Sequence, residues 1–284
     1  MKRLYLFTEE DKLLLTPSEG GWTLPDSSRL TEGTALHDFA PDEAVGRVKG
    51  GSADSKLVVG GITDGTAVAD SKLVVGGTTD GTAVADGKLV ACGLRETSRL
   101  LSKEDYQRAG KAWELLYWSE QTRFCGRCGA PMHWHTAISR RCEGCGQESW
   151  PQLNTAIIVL VHRGDEALLV KARTFRRDFF GLVAGFVETG ESLEECVARE
   201  VREETSLVIS NIRYFGSQPW PYPLGLMIGF HADYVSGEVT FADGELKDGS
   251  FFSRDSLPMR EDGTLAIPGP ESMARRLIED WRRK

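Results

Sequence analysis

Three glutamates, Glu200, Glu203 and Glu204, stand at i, i+3 and i+4, so on a helix their carboxylates gather on one face. Like charges at that spacing weaken a helix unless something neutralises them. Two readings follow: a solvated surface helix that tolerates the charge in water, or a site for magnesium or manganese, hard cations that take carboxylate oxygens and also accept phosphate oxygens. The residues ahead favour the metal. Gly185-Phe186-Val187-Glu188-Thr189-Gly190-Glu191 is a glycine-flanked loop with a further carboxylate, and Ser192 with Glu195 forms a capping box that starts the helix there. Leu193, Val197 and Val201 make its buried stripe, and Arg199, four residues before Glu203, is available to hold a carboxylate in place. Glu245 follows the Asp243-Gly244 turn, from which its side chain could complete an oxygen-rich cage from outside the helix.

Four cysteines form the second constellation. Cys125-Gly126-Arg127-Cys128 and Cys142-Glu143-Gly144-Cys145 are two pairs with two residues between partners, and Gly126, Gly129, Gly144 and Gly146 let backbone amides approach sulfur. Four thiolates suit one tetrahedral ion, most simply zinc, and leave no open coordination position, so the role is structural; a pair of disulfides is the alternative. Arg123, Arg127, Arg140, Arg141, His133, Trp134 and His135 nearby could make the ribbon a nucleic-acid binder, the non-enzyme reading. Cys92 and Cys196 read as ordinary small apolar residues.

A third segment, Ser217-Gln218-Pro219-Trp220-Pro221-Tyr222-Pro223-Leu224-Gly225, places prolines at alternate positions, which forbids a central strand and predicts an extended, stiff loop. Its rings, Trp220 and Tyr222, are then preorganised either to stack on a flat base or to plug a core.

The elements that must carry these residues are legible in outline. Asn154 onward alternates as Ala156–Val161, a Gly164-Asp165 turn and Ala167–Val170, a hairpin of buried strands. Residues 100–124 read as a helix with Ala109, Ala112, Trp113, Leu116 and Tyr117 on one face. Within 53–90 the 16-residue unit Ala53–Val68 recurs from Ala69 with one change, Thr78 for Ile62, and a truncated copy starts at Ala85. Each unit reads as a short hairpin, and nothing in it can do chemistry. The expected domains are a β-rich one at 1–121 with the repeat inserted at 53–90, a ribbon at 122–150, and a third at 151–284.

The whole chain has 284 residues, 40% hydrophobic and 27% charged, enough for two compact domains. Its formal charge of −8 repels phosphate backbones, so an anionic ligand must meet local cations or metal ions. The first apolar run, Leu4–Phe7, is too short for a signal peptide, and no stretch approaches the roughly 20 apolar residues of a membrane span. With six cysteines, four of them at metal-ligand spacing, the expectation is a reducing, cytoplasmic setting with no membrane partner.

The 23 residues from Gly185 to Leu207 resemble the signature of the Nudix hydrolases: a glycine, five residues, a glutamate, seven residues, Arg-Glu, an aliphatic, one residue, Glu-Glu, one residue, a glycine and an aliphatic. Gly185, Glu191, Arg199, Glu200, Val201, Glu203, Glu204 and Leu207 fall in register, and Ser206 stands in place of the last glycine. Should that position need φ > 0, serine costs about 1 kcal/mol there. The proline segment resembles the Ser-Gln-Pro-Trp-Pro-Phe-Pro-x-Ser array of the NADH pyrophosphatase branch, with Tyr222 for the phenylalanine and Gly225 for the serine. The four-cysteine ribbon is a feature of the same branch, and Trp150 stands where a tyrosine is usual.

The resemblance implies an α+β protein with a C-terminal Nudix α/β/α sandwich built on a mixed sheet. It implies that the Ala184 backbone and Glu200, Glu203, Glu204 and Glu245 hold two to three Mg²⁺ or Mn²⁺ ions, and that Glu203 or Glu204 is the catalytic base. It implies substrate contacts at Gln218, Pro219, Trp220, Pro221, Tyr222, Pro223, Leu224, Gly225, Ala274 and Arg95, one structural Zn²⁺, and a homodimer. The reaction implied is hydrolysis of NADH or NAD to nicotinamide mononucleotide and AMP, or of the NAD cap at RNA 5′ ends. Alternatives are another nucleoside diphosphate conjugate such as ADP-ribose, or a non-catalytic zinc-ribbon protein that binds nucleic acid.

Overall fold

The structure, a computed structural model, describes residues 3–7, 11–18, 21–25, 36–40, 43–47, 61–63, 66–68, 90–174, 178–241 and 244–284. The chain divides into two units, Met1–Gln152 with Pro221–Leu224, and Leu153–Trp220 with Gly225–Lys284.

In the first unit, β1 (Arg3–Phe7), β2 (Lys12–Ser18), β3 (Gly21–Thr23), β4 (Leu36–Ala40) and β5 (Glu43–Arg47) form a sheet in the order β3-β2-β1-β5-β4. In the first copy of the repeat, β6 (Gly61–Thr63) pairs antiparallel with β7 (Thr66–Val68), the expected hairpin. The second copy, and all but Val90 of the third, lie outside the described residues. Strand β8 (Val90–Gly93) pairs with β2. Helix α1 (Lys103–Gln121) is shorter than the expected 100–124, because Ser102 accepts the amide hydrogen of Asp105 and caps the helix there. It buries Ala109, Ala112, Trp113 and Leu115 against Tyr5, Phe7, Leu13, Leu15 and Cys92. The ribbon is a three-stranded antiparallel sheet of β9 (Met132–Thr136), β10 (Ser139–Cys142) and β11 (Glu148–Ser149).

The second unit is a sandwich. Strands β12 (Asn154–Arg163) and β13 (Glu166–Ala172) form the predicted hairpin, turning at Gly164 with φ 60°. With β14 (Val183–Phe186), helix α2 (Leu193–Thr205), β15 (Val208–Trp220), β16 (Gly225–Ser236), β17 (Leu246–Ser253) and helix α3 (Met273–Arg283), they complete an α/β/α layering. The sheet runs β15-β16-β12-β13-β17, with β14 also on β12, and is mixed because β12 and β16 are parallel. Strand alternation divides the core. Ile157, Val159 and Val161 face one layer with Val197 and Val201 of α2, whereas Ile158 and Leu160 face the other with Leu277, Ile278 and Trp281 of α3. A strand covered on both faces needs a near-continuous apolar run, which is what residues 156–161 supply.

Two local expectations are refined. The proline segment is not wholly a loop: Gln218, Pro219 and Trp220 end β15, paired with Met227, Leu226 and Gly225. Strand β15 is at the sheet edge, where a residue without an amide hydrogen is tolerated. Ser206 does take the left-handed conformation, φ 61°, as the C-cap of α2, and its hydroxyl meets that of Thr240 at 2.6 Å. The strain of about 1 kcal/mol is therefore real, with a hydrogen bond set against it. Among the described residues, no helix is long and apolar enough to cross a membrane.

Candidate functional site

The glutamate helix begins as its sequence demands. Ser192 Oγ accepts from the Glu195 amide at 3.3 Å while Glu195 Oε2 accepts from the Ser192 amide at 2.7 Å, closing the capping box. Cys196, Val197 and Val201 are buried and Leu193 is half-buried, so Glu200, Glu203 and Glu204 occupy the flank of α2 that runs up to the glycine loop.

Arg199 organises that flank. It forks onto Glu191 with Nε–Oε2 3.0 Å and Nη2–Oε1 2.7 Å, and its Nη1 reaches Glu200 Oε1 at 2.9 Å and Glu203 Oε2 at 3.0 Å. Nη2 also donates to the Phe186 carbonyl at 3.1 Å, tying the loop to the helix. The Arg199 guanidinium, helped by the Glu188 amide, holds the Glu191 carboxyl down at about 2. Glu191 is thus an anchor of the loop, committed to Arg199.

One guanidinium does not balance the remaining charge. Burial raises Glu200 above the ordinary carboxylate value, and the charges of Glu203 and Glu245 raise it further, against Arg199. Glu245, on the loop into β17, therefore stands near enough to Glu200 to act on it. Its position is held by the backbone, its carbonyl accepting from the Arg173 amide at 2.9 Å. Glu204 is only 5% exposed. Glu200 and Glu203, which share Arg199, offer hard oxygens of the kind a divalent cation takes, although among the described residues only the cysteine quartet has its ligand atoms already converged. Ala184, on β14 opposite Ile158, is half-buried, and its neighbour Gly185 lies against Glu200, where an added Cβ would stand 1.9 Å from the carboxyl carbon.

Sequence reasoning missed the pocket beside this loop. Leu153, Asn154, Thr155, Phe186 and Val187 line an open cavity of about 500 Å³, and Phe186 is 65% exposed. The only signal was a large apolar residue inside a glycine and glutamate loop.

Of the other residues singled out, Gln218 uses its amide to reach the Glu271 carbonyl at 2.6 Å, joining β15 to the segment before α3, and its Oε1 is buried without a hydrogen-bond partner. Pro219 is exposed and Trp220 half-buried. Gly225 has a steric reason: a Cβ there would meet the Trp220 carbonyl oxygen at 2.7 Å. Ala274 is buried in the first turn of α3. Residues 221–224 belong to the first unit. There Pro221 is buried, and its ring closes on Gly110, whose added Cβ would lie 3.0 Å from it. Tyr222 bonds the Tyr106 hydroxyl at 2.8 Å under the Arg95 guanidinium, 4.4 Å from its ring centre. Pro221 is thus packed within the first unit and Tyr222 half-buried there, whereas Pro223 is exposed and Leu224 half-buried. Arg95 and Tyr222, both among the substrate contacts that the resemblance implies, thus stand together.

The four ribbon cysteines converge, with all four sulfurs within 4.8 Å of one another. The Cys125–Cys145 and Cys128–Cys142 separations are 3.7 and 3.4 Å, close to the roughly 3.8 Å between sulfurs bonded tetrahedrally at about 2.3 Å. The amides of Arg127 and Cys145 point at Cys125 and Cys142 sulfur, each at 3.4 Å, and the Cys145 amide leads the forces that push the Cys142 thiol down to about 6. The set could hold a soft, thiolate-binding ion, and all six cysteines are free thiols, so the disulfide alternative has no support. The ribbon reserves two of the residues offered as a nucleic-acid face for its own packing. Arg140 donates to the Ser119 and Met132 carbonyls, and Trp134 stacks on His37 at 3.4 Å.

The family model described as NUDIX domain matches residues 151–271. The chain is 42% identical over 188 residues to the NAD-capped RNA hydrolase NudC of Stutzerimonas stutzeri, covering 66% of each. It is 44% identical over 172 residues to that of Pseudomonas aeruginosa, covering 60% of this chain and 59% of that one. To that of Pseudomonas putida it is 39% identical over 194 residues, covering 66% and 67%. The chain thus spans about three fifths to two thirds of the length of the curated relatives it matches. A solved Nudix hydrolase of Nitrosomonas europaea aligns with a TM-score of 0.45 at 20% identity, over 56% of this chain and 88% of that one.

Proposed function

Since the chain belongs to the Nudix family, we propose that it hydrolyses the pyrophosphate bond of NADH or NAD, yielding nicotinamide mononucleotide and AMP, and that it removes NAD caps from RNA. The observation that carries the reading is the surplus of carboxylates around Glu200, with Arg199 as the cation bonded to three of them. Support for the substrate comes from relatives of 39 to 44% identity that are NAD-capped RNA hydrolases.

In this reading the Ala184 carbonyl, Glu200, Glu203, Glu204 and Glu245 hold two to three Mg²⁺ or Mn²⁺ ions, which when bound lower the pKa of water and offset charge at phosphorus. Arg199 keeps Glu200 and Glu203 in place before a substrate arrives. Glu204 or Glu203 takes the proton of the attacking water. The pocket walled by Phe186 and Leu153 offers an apolar face for a ring of the dinucleotide, and Trp220 a second. Arg95, Ala274 and the segment from Gln218 to Gly225 complete the proposed substrate contacts. A reducing, cytoplasmic setting suits the free thiols, and a homodimer follows from the family.

Product analysis by mass spectrometry over NADH, NAD, ADP-ribose and NAD-capped RNA, with Mg²⁺ or Mn²⁺ supplied, tests the proposal. Nicotinamide mononucleotide and AMP are expected from the free dinucleotides. Preferential cleavage of ADP-ribose would move the substrate to another nucleoside diphosphate conjugate, and no cleavage of any of the four would reject a hydrolase altogether.

The ribbon is proposed to hold one Zn²⁺ through Cys125, Cys128, Cys142 and Cys145. The ribbon's buried apolar cluster is only Cys125, Met132 and Cys142, so in this reading metal bonds supply most of its stability. Cys142→Ser should lower bound zinc, measured by elemental analysis, from about one ion per chain to near zero and destabilise the ribbon by several kcal/mol. Full zinc occupancy in that variant would exclude a four-thiolate site.

A further inference from the structure

One titratable cluster, centred on the buried His231, has no part in the proposed chemistry. His162 on β12 and His231 on β16 meet with Nε2 of the first 2.8 Å from Nδ1 of the second. His231 is 6% exposed, with the ring of Phe215 edge-on at 5.3 Å. Its other nitrogen, Nε2, lies 3.2 Å from Asp280 Oδ2 of α3, and that oxygen lies 2.7 Å from Lys284 Nζ. Neither His231 Nε2 nor Asp280 Oδ2, both buried, has an aligned hydrogen-bond partner, so the first contact sets a ring nitrogen facing a carboxylate without a directed bond.

The geometry permits one neutral arrangement that uses every contact. His162 Nε2–H donates to His231 Nδ1, and His231 Nε2–H faces Asp280. A first proton can be shared within the pair. A second places hydrogens on both facing nitrogens, 2.8 Å apart, and the bond between the rings is lost. The surroundings do not welcome added charge. The groups facing the imidazoles are Arg213 of β15, Asp233 of β16, and Asp280 and Lys284 of the α3 end. The two carboxylates are already committed, Asp233 to Arg213 at 2.8 Å and Asp280 to Lys284.

We propose that His162, His231 and Asp280 form an acid-sensitive latch seating the C-terminal helix α3 on the sheet, closed while both imidazoles are neutral and released as they take up protons. The sign follows from linkage. Burial lowers both imidazoles, His162 to about 4, so the open state binds protons more tightly than the closed one. The hold is complete above the ordinary imidazole value of about 6.5 and weakens as the pH falls from there toward about 4.

Hydrogen–deuterium exchange on the full chain, corrected for intrinsic rates, tests this. Between about pH 7.5 and 4.5 the protection of α3 should fall at least tenfold relative to β13. In the double variant His162→Gln and His231→Gln that extra fall should vanish. Equal loss of protection in α3 and β13, or an α3 loss that survives in the double variant, would overturn the latch. Should the double variant fail to fold, imidazole NMR of the unmodified chain decides. Both rings titrating near 6.5 while α3 exchange stays constant also overturns it, and depressed titration that coincides with α3 opening supports it.

Discussion

Replacing Glu204 by Gln is expected to cut turnover of the preferred dinucleotide by at least about two orders of magnitude, close to 2.7 kcal/mol of barrier, without unfolding the protein. Glutamine matches the shape of this buried side chain, so the packing of α2 through Val197 and Val201 against Ile157 and Val159 is preserved. What it removes is a negative charge and a proton acceptor. Loss of charge weakens cation binding, and loss of the acceptor slows deprotonation of water, and both act on the reacting group. Circular dichroism and the melting temperature serve as controls for the fold. Turnover within a few-fold of the unmodified protein would eliminate Glu204 as base and as essential ligand.

Gly185→Ala should be almost as damaging, for a purely steric reason. The added methyl would fall 1.9, 2.0 and 2.3 Å from the carboxyl carbon and two oxygens of Glu200. No rotation of the backbone is at issue, since Gly185 is not among the glycines of positive φ. Glu200 must swing away, giving up its 2.9 Å contact with Arg199 and its place beside Glu203 and Glu245. Affinity for Mn²⁺, followed by electron paramagnetic resonance, should drop by at least about tenfold, and turnover with it. Undiminished Mn²⁺ affinity would mean that Glu200 is no ligand. The two substitutions probe different links. The first leaves every atom in place and changes its charge, whereas the second leaves every charge and moves it.

The contrast between Gly185 and Ser206 shows how sequence cues translate into structure. Both occupy positions where the family signature has glycine. At Ser206 the demand is conformational, φ 61°, and a hydroxylated side chain meets it with strain and a bond to Thr240. At Gly185 the demand is for empty space, which no other residue supplies. Gly225 is of the second kind, because the Trp220 carbonyl fills the volume a side chain would need.

Local rules, read along the chain, determined a good part of this protein: the capping box at Ser192, the shared flank of Glu200, Glu203 and Glu204, the β12–β13 hairpin, and the two cysteine pairs. These features depend on contacts a few residues apart, where 3.6-residue and two-residue periods and turn chemistry are enough. The tertiary structure alone decided the rest. Glu245 acts on Glu200 from the loop into β17, Tyr222 is bonded to Tyr106 beneath Arg95, Phe186 walls a pocket with Leu153, and His231 joins His162 to Asp280. These juxtapositions are set by sheet register and by how helices pack on the sheets, and those depend on packing a whole core at once.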